Sequence, residues 1–260
     1  MTDKNTQSNM INIRGLTFRD ITPEEALNTA IGALSGDGKK KTPFVVYTPN
    51  AEIAQLCVED EKIRECILSA DMLVQDGAGI VLASKILKKP LRYKIAGIDL
   101  GEGIVKYAAA SGKKVYFLGA APANSERKAV ALIAEEKLAE KYEGFKLCGW
   151  HDGYFKLEMT DEIIKDINDC GTDILFVCLG APRQELWVKE NRDKLNVSLV
   201  LGLGGSLDGY AGTVKRAPEF FIKINCEWLY RLIKQPSRFK RMLKLPKYIF
   251  GALGERLRGK

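Results

Sequence analysis

In the stretch Asp173–Leu203, DILFVCLGAPRQELWVKENRDKLNVSLVLGL, a strand pattern is followed by a glycine turn, a helix pattern and a second strand pattern. The run DILFVCL is apolar almost throughout and ends at Gly180, which is typical of a strand buried on both faces of a sheet. The helix pattern covers Arg183–Lys194, and Ser198–Leu203 forms the second strand pattern. This order predicts two parallel strands joined by a helix.

The same strand–turn–helix order recurs along most of the chain. KVYFL at Lys114–Leu118 predicts a strand that ends in a turn at Gly119, and FVVYT at Phe44–Thr48 precedes a helix predicted over Ala51–Ser69. Ile11–Arg19 is predicted as a single strand. The alternation predicts an α/β fold with a Rossmann-like, largely parallel sheet and helices on both faces. Because right-handed crossovers place the βα turns at one edge of such a sheet, ligand-binding residues are expected in these turns.

The composition excludes a disordered or fibrous chain, because 46% of the 260 residues are hydrophobic and can form a core. The six cysteines include no CxxC pair, which favours free thiols in a reducing compartment. No uncharged apolar run approaches the ~20 residues of a membrane span, and MTDKNTQSNM is unlike a secretory signal, so a cytoplasmic protein is expected. With one histidine, His151, the sequence shows no clustered set of metal ligands.

Positive charge is concentrated at the C-terminal end. Residues 216–260 contain 12 Lys and Arg against 3 Asp and Glu, a formal charge of +9, whereas residues 1–215 carry 28 − 30 = −2. Such asymmetry predicts an anionic partner for the tail, either a lipid surface, a nucleic acid or a phosphorylated substrate. A solvated basic face that only aids solubility is the simplest alternative.

The tail also carries large apolar residues. Several recur at helical spacing: Phe221, Ile224, Trp228 and Leu232. Aromatic and cationic residues on short helices are typical of segments that bind a membrane surface. We therefore predict a disordered N-terminus over residues 1–10, an α/β body over 11–215, and a basic amphipathic helical appendage over 216–260 that associates with an anionic membrane. An exposed apolar face on this appendage also makes a homo-oligomer compatible with the sequence.

Two predicted turns near the N-terminal half carry candidate catalytic side chains. One is Thr48-Pro49-Asn50 after the strand FVVYT, and the other is Asp76-Gly77-Ala78-Gly79 between a short strand and a helix. A carboxylate at a strand end can act as a general base when a hydroxyl lies within hydrogen-bond reach. The alternative for Asp76 is an Asp-Gly pair that only forms the turn.

Two further turns are candidates for binding phosphate or substrate. In GAPRQE a glycine turn enters a helix whose first N–H groups suit a phosphate, with Gln184 in the first helical turn. Gly204-Gly205 belongs to a glycine-rich turn after the last strand, where backbone can approach a ligand closely. Its glycine spacing and position differ from the dinucleotide fingerprint, which disfavours a nicotinamide oxidoreductase.

A series of motifs, in order, resembles the WecG/TagA/CpsF glycosyltransferase family from about Ile11 to Arg241: TPNAEI, ADMLVQDGAGIVLASKI, the segment from Arg92 to Ala96-Gly97-Ile98-Asp99, VYFLGAAP, LFVCLGAPRQELW, GLGGSLDGYAGTVKRAP and EWLYRLIKQPSRFKR. The resemblance implies an inverting, metal-independent transfer of N-acetylmannosamine from UDP to undecaprenyl-diphosphate-linked N-acetylglucosamine, with no cofactor. It implies a place on the cytoplasmic face of the bacterial plasma membrane and a role in a cell-envelope polymer such as teichoic acid. Use of UDP-N-acetylmannosaminuronic acid or another UDP-sugar stays open, and so does a nucleic-acid-binding module that uses the basic tail.

The resemblance also implies roles for single residues. It makes Asp76 the general base and places Thr48 in the catalytic pocket. The remaining residues are expected to bind the UDP-sugar donor or the polyprenyl-diphosphate-linked acceptor: Asn50, Arg92, Gly119, Gln184, Gly204, Gly205, Arg231, Arg238 and Arg241. The three tail arginines are the expected ligands of phosphate oxygens.

Overall fold

The computed structural model describes residues 10–35, 42–214, 217–218, 220–221, 227–234 and 239–259. The described residues divide into two compact units, one drawn from Met1–Pro23, Thr48–Ala96 and Arg216–Lys260, the other from Glu24–Tyr47 and Gly97–Lys215. Residues 1–9, 215 and 216 lie outside the described residues. The division into a disordered N-terminus, a body and an appendage therefore stays a prediction.

The regular elements of the described residues follow the chain in an α/β order. The strands are β1 (Met10–Ile13), β2 (Leu16–Arg19), β3 (Phe44–Tyr47), β4 (Met72–Leu73), β5 (Val115–Gly119), β6 (Leu147–His151), β7 (Ile174–Cys178) and β8 (Leu199–Gly202). The first helices are α1 (Pro23–Gly32), α2 (Ala51–Glu59), α3 (Glu61–Leu68), α4 (Ala78–Ile86), α5 (Gly97–Ser111) and α6 (Val130–Lys141). The later ones are α7 (Thr160–Asp169), α8 (Arg183–Asn191), α9 (Ser206–Ala211), α10 (Glu227–Lys234), α11 (Phe239–Met242) and α12 (Lys244–Leu257).

Five strands of the second unit form a parallel sheet in the order β3-β8-β7-β5-β6. In β7 every residue is buried, and Ile174 pairs with Val115 on one side and Leu199 on the other. The ring of Phe117 stacks on that of Phe176 with centroids 5.3 Å apart. These contacts confirm the predicted Rossmann-like, largely parallel sheet, which helices of the same unit flank.

The prediction of one strand over Ile11–Arg19 was wrong, because the segment is a hairpin. β1 pairs with β2 in antiparallel register, with Ile13 opposite Leu16. Arg14 and Gly15, which join them, have φ angles of 52° and 90°. A two-residue hairpin turn with positive φ at both positions matches the twist of its strands, although a non-glycine residue is uncommon there.

The prediction of one helix over Ala51–Ser69 was also wrong, because Asp60 separates α2 from α3. Asp60 has extended backbone (φ −136°, ψ 115°). Its carboxylate accepts hydrogen bonds from the N–H groups of Lys62 and Ile63, at 2.8 and 3.3 Å. Asp60 thus ends one helix and caps the N-terminus of the next.

The C-terminal helix α12 packs on α2 and α4 within the first unit. Its residues Tyr248 and Ala252 are fully buried. Arg14 Nε binds Glu255 Oε1 at 2.8 Å, and Arg14 Nη1 donates to the Tyr248 carbonyl at 3.0 Å. Because the same guanidinium lies over the Tyr248 ring, 4.8 Å from its centroid, the hairpin turn and α12 stabilise each other.

A carboxylate of α2 makes a second connection to α12. Lys244 Nζ and Lys247 Nζ bind the carboxylate of Glu59 at 2.6 and 2.7 Å, and Gln55 Nε2 donates to it at 3.0 Å. The hydrogen bonds from both lysines and from Gln55 hold the pKa of Glu59 at about 2, below its usual 4.5. The ionised form is therefore the one that favours the packed helix.

We expect this contribution to stability to be present above the unfolded pKa and to be lost as the pH falls from about 4.5 towards 2, because the folded pKa is the lower one. Glu59→Gln should lower the free energy of unfolding at about pH 6.5 and have a much smaller effect near about pH 3. Urea unfolding of both proteins at the two pH values measures the difference. Glu190→Gln, at an exposed position of α8, is the control. An equal difference at both pH values would contradict the assignment.

Candidate active site

The carboxyl ends of neighbouring strands meet at one edge of the second unit's sheet. Gly119 at the end of β5 lies beside Cys178 at the end of β7, and the Ala120 N–H donates to the Cys178 carbonyl at 3.2 Å. The Leu203 N–H donates to the Val177 carbonyl at 3.0 Å. The turns that follow these strands therefore start side by side, as the sheet topology predicts for a ligand-binding edge.

The glycines of these turns have different surroundings. Gly119 has φ +140°, and a Cβ there would lie 2.4 Å from the Cys178 carbonyl oxygen, so no larger residue fits. At Gly204 and Gly205 a Cβ would meet no described atom within 4 Å, so there is open space beside the turn. The space beside Gly204 and Gly205 leaves room for a ligand to approach the backbone of this turn. The predicted contacts of these glycines with nucleotide stay predictions.

Gln184 connects the start of α8 with the glycine turn after β8. Its side chain is buried, with 3% of the residue's surface exposed. Its Oε1 accepts a hydrogen bond from the Gly204 N–H at 3.0 Å, and its Nε2 donates to Glu185 Oε1 at 2.8 Å. The structure thus brings Gln184 together with Gly204, while the contact of Gln184 with substrate stays a prediction.

The sequence gives little indication of two neighbours of Gln184 that shape this edge. Arg183 donates hydrogen bonds to the carbonyls of Gly153 and Phe155 and lies over the Phe155 ring, 4.8 Å from the centroid, so it holds the loop after β6. Glu185 is buried, which raises the pKa of its carboxyl group. An acid in a first helical turn is normally read as a favourable partner of the helix dipole, and only the tertiary structure shows its burial.

The first unit brings two of the predicted turns together. The Asp76 N–H donates to the Pro49 carbonyl at 3.1 Å, which places the Asp76 turn against Thr48-Pro49-Asn50. Asp76 is half-buried and directly precedes Gly77, which has φ +80° and leads into α4. Asn50 Oδ1 accepts from the Ile53 N–H at 3.1 Å and so caps α2. Thr48 itself is buried.

The segment that carries Arg92 runs beside Asp76. Gln75 Nε2 donates to the Tyr93 carbonyl at 2.7 Å, and the Gln75 carbonyl accepts from the Ile95 N–H at 3.0 Å. Arg92 Nε binds Asp20 Oδ2 at 2.8 Å, and its backbone N–H donates to Asp20 Oδ1 at 2.9 Å. Arg92 Nη2 also donates to the Asp20 carbonyl at 3.1 Å, so Asp20 holds the guanidinium group of a side chain that remains 56% exposed.

Arg241, one of the three tail arginines, lies close to the helix start that follows the Thr48-Pro49-Asn50 turn. Arg241 Nε binds Glu52 Oε1 at 3.0 Å, and Glu52 stands in the first turn of α2, which Asn50 caps. The backbone of Arg231 belongs to α10, whereas its side chain and the whole of Arg238 lie outside the described residues. The Asp76–Pro49 hydrogen bond and the Arg241–Glu52 ion pair therefore place Asp76 and Arg241 beside the start of α2, which follows the turn that begins at Thr48.

This set of groups can support acid–base chemistry next to anion binding. A half-buried carboxylate at a helix N-terminus can accept a proton from a hydroxyl nucleophile, and guanidinium groups match phosphate oxygens. Among the described residues no three His, Cys, Asp or Glu side chains cluster so that they could hold a metal ion. Within the same part of the chain, no helix is both long enough and apolar enough to cross a membrane.

Comparison with known proteins gives consistent matches over most of the chain. A model of the family described as "Glycosyl transferase WecG/TagA/CpsF family" matches residues 11–260. The chain is 37% identical to the N-acetylglucosaminyldiphosphoundecaprenol N-acetyl-beta-D-mannosaminyltransferase of Bacillus spizizenii, over 83% of this chain and 80% of that protein. The enzymes of the same name from Bacillus subtilis and Staphylococcus aureus strain MW2 are 34% and 32% identical, over 83% and 92% of this chain and 81% and 91% of theirs.

Proposed function

The chain belongs to the WecG/TagA/CpsF glycosyltransferase family, and from this membership we propose that it transfers N-acetylmannosamine from UDP to undecaprenyl-diphosphate-linked N-acetylglucosamine. The structural observation that supports the proposed chemistry is the position of Asp76, a half-buried carboxylate held against the Thr48-Pro49-Asn50 turn at the start of α4. Family membership does not favour a nicotinamide oxidoreductase or a nucleic-acid-binding module.

In this proposal Asp76 takes the proton from the attacking hydroxyl of the acceptor sugar. The hydroxyl oxygen forms a bond to the anomeric carbon of the donor, and the bond from that carbon to the UDP diphosphate breaks. Attack opposite the leaving group inverts the anomeric configuration. Thr48, Asn50 and Arg92 contact substrate near the base, in keeping with their places around the Asp76 turn.

Negative charge on the departing diphosphate requires positive partners. Arg241 supplies one from beside α2, and Arg231 and Arg238 are proposed to supply two more. In the second unit, Gly119, Gln184, Gly204 and Gly205 are proposed to bind the UDP-sugar through the sheet edge. Because arginines supply the charge, we expect transfer to continue when a chelator is present.

The basic tail is proposed to bind the inner face of the plasma membrane, where the lipid-linked acceptor lies. In α10 the side chains of Trp228, Leu229 and Ile233 are exposed, and Phe250 and Leu257 of α12 are exposed as well. Residues 216–260 also carry the +9 charge. Each Lys or Arg near an anionic leaflet adds about 1 kcal/mol of binding free energy. Self-association through these apolar side chains stays a prediction.

The substrate assignment is tested by incubating the purified chain with a short-chain polyprenyl-diphosphate N-acetylglucosamine acceptor and three donors in turn. The donors are UDP-N-acetylmannosamine, UDP-N-acetylmannosaminuronic acid and UDP-N-acetylglucosamine. We expect mass spectrometry to show one added N-acetylhexosamine with the first donor. Product formation only with another donor would contradict the proposed sugar, and no product with any donor would contradict the proposed acceptor.

We expect Arg241→Ala to lower kcat/KM by about ten- to a hundredfold, because charge-assisted hydrogen bonds contribute about 1.5–3 kcal/mol. Steady-state kinetics with varied donor and acceptor measure the change. Arg258→Ala, which removes an exposed guanidinium at the end of α12, serves as the matched control and should leave kcat/KM unchanged. Equal values for both variants would show that Arg241 does not act on the substrate.

A further inference from the structure

The side-chain amide of Gln184 is fixed by two partners with unequal hydrogen-bonding abilities. The Gly204 N–H can only donate, so its 3.0 Å contact assigns Oε1 of Gln184 to that side. Nε2 then points to Glu185 Oε1, 2.8 Å away, and this oxygen accepts its hydrogen bond. The flipped amide would turn its N–H donors towards the Gly204 N–H and would lose the donor that Glu185 Oε1 accepts, so Glu185 and Gly204 jointly select one orientation.

Glu185 occupies a position that an apolar residue would fill at lower cost. Only 2% of the residue is exposed, and within the described part of the chain its Oε2 has no hydrogen-bond partner. Burying a carboxyl group with one oxygen unsatisfied is unfavourable. The Gln184 amide is the partner that Glu185 gains in return.

The backbone of Glu185 is held from the opposite side. Tyr47 Oη at the end of β3 donates to the Glu185 carbonyl at 3.2 Å. A Cβ at Gly202 would lie 2.8 Å from Tyr47 Cδ1 and 3.2 Å from Gln184 Nε2, so the small residue at the end of β8 leaves room for both side chains. Tyr47, Glu185, Gln184 and Gly204 thus form one connected set across the ends of β3 and β8 and the start of α8.

We propose that Glu185 is a positioning residue, whose carboxyl group fixes the amide of Gln184 and, through the hydrogen bond of that amide to the Gly204 N–H, the glycine turn that binds the donor. This role rests on the proposed function, because it acts through residues assigned to the UDP-sugar. Glu185 makes no contact with the reacting atoms in this scheme. Its effect is on the geometry in which Gln184 and Gly204 meet the donor.

The test compares Glu185→Met, which removes the acceptor and keeps an unbranched side chain, with Glu185→Gln, which keeps an acceptor oxygen. We expect Glu185→Met to lower kcat/KM for the donor about tenfold. Glu185→Gln should keep kcat/KM within about threefold of the wild type. The free energy of unfolding of Glu185→Met should stay close to that of the wild type, because the variant removes a buried carboxyl group but leaves Gln184 Nε2 without its acceptor. The double variant with Gln184→Met and Glu185→Met should have a kcat/KM no lower than that of Gln184→Met alone, because both changes break the same hydrogen bond between the two side chains.

A second readout does not depend on catalysis. We expect hydrogen exchange at the Gly204 amide to accelerate about tenfold in Glu185→Met and to stay near the wild-type rate in Glu185→Gln. Unchanged exchange in Glu185→Met, or additive kinetic effects in the double variant, would overturn the positioning role. If the wild-type chain transfers no sugar while exchange at the Gly204 amide still accelerates in Glu185→Met, the proposed function is refuted and the connection from Glu185 to Gly204 stands.

Discussion

Replacing Asp76 with asparagine is expected to lower kcat for sugar transfer by about 10²–10⁴-fold, the range attributed to a positioned general base. Asparagine has nearly the same shape and keeps the backbone N–H that donates to the Pro49 carbonyl. It lacks a basic oxygen to take the proton of the attacking hydroxyl. KM for the donor should stay within about threefold, because the loss is confined to the transition state.

The control is Glu65→Gln, which removes an exposed carboxylate of α3 in the same unit. Its kcat should equal that of the wild type, and both variants should unfold at the wild-type urea concentration. If Asp76→Asn kept more than about one tenth of the wild-type kcat, the base would have to be another group.

Replacing Tyr248 with alanine is expected to lower the free energy of unfolding by about 3–5 kcal/mol, as for other large buried aromatic residues. The ring is fully buried in α12 and lies under the Arg14 guanidinium. Its removal leaves a cavity and exposes the side of the first unit that α12 covers. Urea unfolding followed by circular dichroism measures the change.

Tyr248→Phe is the matched control, because it keeps the ring and removes only the hydroxyl. Within the described residues Tyr248 Oη is buried with no hydrogen-bond partner, so its loss should be neutral or stabilising. A wild-type stability for Tyr248→Ala would mean that α12 does not pack on the first unit in solution.

The central strands and their turns could be predicted from sequence because their signals are local. In Asp173–Leu203 the apolar run and the glycine turn indicate strand, turn and helix in order, and the structure has β7, α8 and β8 there. The same logic located the turns at Gly119 and Gly204, since parallel strands bring their carboxyl ends to one edge.

The elements that sequence patterns missed depend on contacts between distant residues. Arg14 takes a backbone conformation that is unusual for arginine. Its partners Tyr248 and Glu255 are more than 230 residues away from it in the sequence. The sequence pattern allows Asp60 inside a continuous helix. Only its hydrogen bonds from the N–H groups of Lys62 and Ile63 show that a new helix, α3, begins there. Glu185 has the pattern of an exposed helix-start acid, but the tertiary structure buries it beside Gln184.

In the proposed reaction the acceptor hydroxyl, activated by Asp76, displaces UDP in a single step. The most direct test is the anomeric configuration of the lipid-linked disaccharide, read from the one-bond coupling between C1 and H1 of the transferred sugar. A single displacement predicts a new linkage of configuration opposite to that of the UDP-sugar. A product that retains the donor's configuration, or release of UDP with no sugar on the lipid, would contradict it.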